Sequence, residues 1–150
     1  MSDFSLSILI IRHAEKAGHK WPGPGLTPEG TEDEQSLVVR GWQRAGAWAA
    51  LFAGEIRGAD YPRPSMIYAA DPAATTGDEP SQRPFQTVIP VAERLNLRIV
   101  TDYAVGKELE LAAPCYKRDW GSTHFLGTQC DHQGPFACDR QRSAHQRNAR

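Results

Sequence analysis

The 150-residue chain has no long apolar run, and nothing in it approaches the roughly 18 consecutive apolar residues that a membrane-spanning helix needs. It also lacks an excess of charge of either sign. With 17 Lys+Arg against 18 Asp+Glu, its net charge of −1 gives no global field to attract nucleic acid or an anionic membrane, and neither is expected as a partner. Cysteine is scarce and odd in number: Cys115, Cys130 and Cys138 provide no disulfide framework. Cys130, His132 and Cys138 have the chemistry of zinc ligands, but there is no C-x2-C pair and no fourth ligand, so no metal is expected. Met1-Ser2-Asp3-Phe4 lacks the basic opening of a secretory signal, which makes a soluble cytoplasmic protein the expectation.

The last quarter has its own deficit. Residues 114–150 contain no Val, Ile, Met or Glu and are rich in Gln, Arg, His and Cys. They show neither helical nor strand periodicity, so this stretch is expected to be an irregular tail that supplies no strand. The remaining residues, 1–113, form one domain's worth of patterned sequence.

That domain is organised around its first apolar run. Residues 6–11, Leu-Ser-Ile-Leu-Ile-Ile, are largely β-branched, do not alternate cleanly, and end abruptly in Arg12-His13-Ala14-Glu15. The pattern predicts a strand buried on both faces, as in a parallel α/β sheet. Ligands of such sheets bind beyond the carboxyl ends of the strands, which is where Arg12 and His13 fall. A guanidinium fork matches phosphate oxygens, and a neutral imidazole is a nucleophile near physiological pH.

A Gly/Pro-rich loop follows, with Trp21 as a possible pocket wall. Ser36 is then the expected cap of a helix over residues 37–52, whose Leu37, Gly41, Ala45, Trp48 and Phe52 form one apolar stripe. Gly41 and Gly46 fit a helix whose backbone lies close to the sheet, while Arg40 and Arg44 fall on a solvated flank. Residues 66–70 read as a second strand and residues 97–101 as a third. Between them Arg83-Pro84-Phe85-Gln86-Thr87 opens a helix that Pro90 should kink or restart, and residues 102–113 begin another. Arg83 at a helix N-terminus adds a side-chain cation to a place that already favours anions.

An apolar strand ending in Arg-His-small-Glu, followed in order by Arg-x-x-Gln-Thr, resembles the histidine phosphatase superfamily, relatives of the phosphoglycerate mutases. The resemblance implies a three-layer α/β sandwich with a mainly parallel sheet, lacking its last strand because of the tail. It implies that His13 takes up a phosphoryl group while Arg12 and Arg83 hold its oxygens, with no cofactor. A general acid past the second arginine would be Glu108, or Glu110, by approximate spacing, and Glu15 would give at most a supporting hydrogen bond. The expected substrate is a small phosphomonoester or a phosphoprotein. A non-catalytic phosphate-binding remnant is the alternative, and a phosphomutase a third possibility.

One family feature has no counterpart in the encoded residues: a further strand ending in a second histidine. None of His124, His132 and His145 follows an apolar strand. Read one base later, however, the codons for residues 119–136 can spell Thr-Gly-Gly-Ala-Leu-Ile-Ser-Trp-Glu-His-Asn-Ala-Ile-Ile-Lys-Ala-Leu, a glycine turn, an apolar strand, Glu-His and a helix start. A frameshift between about residues 113 and 119, in the gene or its sequencing, is therefore expected. Against it stands a natural, divergent tail.

Overall fold

A computed structural model describes residues 7–55, 61–73, 81–104, 107, 110 and 123–128. In chain order the elements are β1 (Ser7–Arg12), α1 (Val39–Ala53), β2 (Met66–Ala69), α2 (Arg83–Leu95), β3 (Ile99–Val100) and β4 (Thr123–Thr128). The four strands make one sheet in the order β1-β4-β2-β3, and every pairing is parallel. The chain steps across the sheet in one direction from β1 to β2 to β3. Right-handed crossovers in one direction put their helices on the same face. Accordingly α1 and α2 pack against each other, and Ala49, Phe52, Val88, Val91 and Ala92 share a core with Ile67 and Ala69.

Two expectations are corrected here. The segment 114–150 does supply a strand: Thr123–Thr128 pairs along its whole length with β1 and along Met66–Ala69 with β2, in the middle of the sheet. Side-chain pattern gave no hint of it, because a strand between two parallel neighbours is held by backbone hydrogen bonds that any residue except proline can make. The sheet is therefore not missing a strand at this position. The other correction concerns β1, which among the described residues is an edge strand with one open face. Leu9 and Ile11 pack on the core, while Ile8 and Ile10 are 39% and 49% exposed. Among the described residues both helices lie on one face, giving two layers of the expected three; of the predicted helix over residues 102–113, residues 102–104 and 107 are described and are not helical, Glu110 is helical, and the rest lie outside the described residues.

Local chemistry accounts for the helix limits. Ser36 does not cap α1; its hydroxyl donates to the Asp33 carboxylate (2.5 Å), and the helix begins three residues later, with Val38 at the N-cap and no side-chain cap. Proline in the first turn of α2 lacks only an N–H that would have no helical partner there. Pro90 is accommodated inside an uninterrupted helix. Asn96, at φ 54°, ends it in the left-handed conformation, and its N–H and that of Leu97 close on the carbonyls of Glu93 (3.1 Å) and Ala92 (2.9 Å).

The two helical glycines differ. A Cβ at Gly41 would lie 2.6 Å from the Glu15 carbonyl oxygen, so only glycine lets α1 approach the turn after β1 this closely. A Cβ at Gly46 would meet nothing within 4 Å, and the expectation that it too marks a close approach does not hold. Gly41→Ala should therefore destabilise the fold by about 1–3 kcal/mol, because backbone must move to admit the methyl group. Gly46→Ala should stabilise it by about 0.5–1 kcal/mol through helix propensity. Urea unfolding midpoints moving in opposite directions would be the signature.

Candidate active site

The turn that leaves β1 is tied down on three sides. Ala14, 2% exposed, donates its N–H to Thr87 Oγ1 (2.8 Å), and that hydroxyl donates to the Arg83 carbonyl one turn earlier in α2 (2.7 Å). The Glu15 carbonyl accepts from the Val38 N–H (3.1 Å) at the entrance to α1. The Glu15 carboxylate accepts from Arg44 of α1, through Nε (2.7 Å) and Nη2. Arg44, expected on a solvated flank, thus holds the carboxylate beside the nucleophile candidate. Gln86 adds a second tie: its Oε1 accepts from the Leu37 N–H (2.8 Å) and its Nε2 donates to Ser36 Oγ (2.7 Å).

The result is a fixed imidazole. His13 Nδ1 lies 2.6 Å from the Ala14 carbonyl oxygen, which can only accept, so Nδ1 carries the hydrogen and Nε2 keeps the lone pair. The pKa of His13 is pushed below its ordinary value of 6.5. Burial is the largest cause, and the charges of Arg12, Arg83 and Lys16 act in the same direction, against the opposing bond to the Ala14 carbonyl. The ring is neutral at neutral pH. Burial raises the pKa of Glu15, but Arg44 outweighs it with help from the local backbone and Arg40, and the carboxylate is held below its ordinary value.

A cavity of about 560 Å³ opens at this end of β1, with Arg12, His13 and Lys16 in its lining beside Lys20 and Trp21. Among the described residues that line it, the only carboxylate is Glu15, which Arg44 neutralises. What remains is cationic, so the site suits an anion. Arg12 and His13 both line this cavity. Arg83 is placed differently: it opens α2 and its charge reaches His13, but Nη2 donates to the Glu34 carbonyl (2.6 Å) and the residue does not line the cavity.

Glu110 is exposed and pairs with Lys107 (2.9 Å), while Glu108, Cys115, Cys130, His132, Cys138 and His145 lie outside the described residues. His124 sits in β4 in register with Ile8 and Met66, toward the opposite end of the strand from Arg12. No group of residues suited to a metal ion occurs among the described residues, nor does any helix long and apolar enough to cross a membrane. No protein-family model matches the chain, and no curated protein matches it either.

Thr87→Val would orphan the buried Ala14 N–H. It should cost about 1–3 kcal/mol in chemical denaturation, with Thr87→Ser recovering most of the loss.

Proposed function

We propose that this chain is a histidine-phosphatase-like α/β domain, of the phosphoglycerate mutase-like architecture, that hydrolyses phosphomonoesters through a phosphohistidine formed at His13. The observation that supports it most is the state of that ring: neutral, its hydrogen committed to the Ala14 carbonyl, its lone pair on Nε2, in a cavity lined by Arg12 and Lys16. An imidazole prepared as a nucleophile beside cations that have no carboxylate partner among the described residues fits phosphoryl transfer better than it fits a structural histidine.

In the proposed reaction Nε2 attacks phosphorus as the ester P–O bond breaks, and the electron pair departs on the leaving oxygen. Water then attacks the phosphohistidine, the P–N bond breaks, inorganic phosphate leaves and a proton is released. Arg12 neutralises equatorial charge, and Arg83 and Lys16 add to the positive field at the ring. An alkoxide leaving group needs a proton from an acid. Glu108 was expected in that role and lies outside the described residues. Glu110, ion-paired and exposed, has no raised-pKa environment to recommend it.

A second reading is favoured by one observation. The strand end beside Arg12 carries Thr128, where the proposed family carries its second histidine. Losing one charge-stabilising donor costs about 2.7–4 kcal/mol, or roughly 10²–10³ in rate. A phosphate-binding domain with little turnover would follow.

p-Nitrophenyl phosphate separates these readings, because its phenolate leaves without a general acid. The catalytic reading expects hydrolysis by the natural chain, abolished in His13→Ala, and slower turnover of alkyl phosphates. Phosphate binding with no hydrolysis of any ester supports the second reading. The acid limb of the pH–kcat/KM profile should have its midpoint below 6.5, since the unprotonated ring is the active form and its pKa is lowered. A midpoint above 6.5 would contradict the proposed role of the neutral ring.

A further inference from the structure

The outer edge of β1 carries none of the devices that keep an exposed strand from pairing with another chain. Among the described residues only β4 pairs with it, so its other row of backbone N–H and C=O groups is open. From Ser7 to Ile11 it has no charge, no proline and no glycine, and its register with β4 is continuous, without a bulge. The cavity lining reaches Ile10 and Ile11, so open space lies beside this part of the strand. Leu9 and Ile11 face the core. Ile8 and Ile10 therefore project from the opposite face, and among the described residues they are the exposed large apolar side chains of the sheet.

We propose that a second copy of this chain occupies that edge, β1 against β1, antiparallel about a two-fold axis at Leu9, so that two sheets become one. An axis normal to the sheet keeps the open faces of both copies on the same side. Leu9 then meets Leu9, and Ile8 of each copy meets Ile10 of the other, so the exposed isoleucines cover one another. A slip of one residue would set each isoleucine against a core-facing neighbour. The antiparallel sense also keeps the charged strand ends apart: the two Arg12 residues lie six positions from each other along the ladder, about 20 Å, well beyond a Debye length of about 8 Å. Residues 129–150 compete poorly for the edge, because Phe136 is their one large apolar side chain. A pair of six-residue strands is a small interface, so the dimer belongs to the weak, reversible class that dissociates on dilution. The proposal is independent of the chemistry at His13.

Sedimentation equilibrium of the full chain, from low micromolar to near-millimolar protein, should show a monomer passing to a dimer. Ile10→Lys sets a charge against Ile8 of the second copy and should weaken the dimer about tenfold or more, with an unchanged circular dichroism spectrum. Leu51→Lys, at an exposed apolar position on α1, should leave the dimer as it is. The register has its own readout, which does not depend on Ile10→Lys folding. An equal mixture of the Ile8→Cys and Ile10→Cys chains should form a disulfide from position 8 of one to position 10 of the other, identified by peptide mass spectrometry, in excess of the 8–8 and 10–10 products. A natural chain that stays monomeric overturns the proposal, and protection of the β1 amides from hydrogen exchange in that monomer would assign the edge to the chain's own residues. A dimer that folded Ile10→Lys leaves intact, or one without the 8–10 crosslink, lies on another surface and overturns it too.

Discussion

The hydrogen bond from the Ala14 N–H to the Thr87 hydroxyl joins the two halves of this structure. The β1 turn and the first turn of α2 are separated by 73 residues, and this bond fixes one against the other in a buried setting. The same hydroxyl reaches back to the Arg83 carbonyl, so the imidazole and the second arginine are positioned from one side chain. Gln86, one residue earlier, fixes the segment entering α1. Three elements thus meet at a glutamine–threonine pair, and the close approach allowed by Gly41 completes the contact from α1.

The electrostatics follow from that packing. Burial does most to disfavour protonation of His13, and Arg12 and Lys16, the cations that make the cavity positive, act in the same direction. Glu15 would oppose this if its charge were uncompensated, since a carboxylate near the ring would raise the histidine pKa and make the cavity less positive. The ion pair with Arg44 removes that conflict. The side chain of Glu15 is only 8% exposed, which makes the pair more than a surface decoration.

Much of the first two-thirds was legible because each signal was local. Apolar runs gave β1 and β2, the stripe of Gly41, Ala45 and Phe52 gave the buried face of α1, and Arg83-Pro84 gave the start of α2. What was not legible depended on partners distant in sequence. Ser36 looks like a helix cap until Asp33 takes its hydroxyl. Arg44 looks solvated until Glu15 is brought to it. Gly41 and Gly46 look alike in sequence, and only the position of the Glu15 carbonyl tells them apart. The isoleucines of β1 read as doubly buried because nothing in their own pattern says which strand will lie at the edge.

β4 is the instructive failure. Its residues carry no strand signature, yet its backbone fills the gap between β1 and β2, with Thr128 in register with Arg12. Each of the flanking strands leaves a row of N–H and C=O groups facing that gap, and leaving them unpaired would be costly. The slot therefore constrains backbone more than side chain. The codons occupying it are the ones whose reading one base later can spell Leu-Ile-Ser-Trp-Glu-His, with the histidine over the codon that here gives Thr128. A strand in that frame would meet the buried slot with apolar side chains and end in an imidazole beside Arg12. The six positions that the sheet uses as a strand are thus the ones whose permitted codons could also encode an apolar strand in the other frame, and the bases of the gene at those codons distinguish the two.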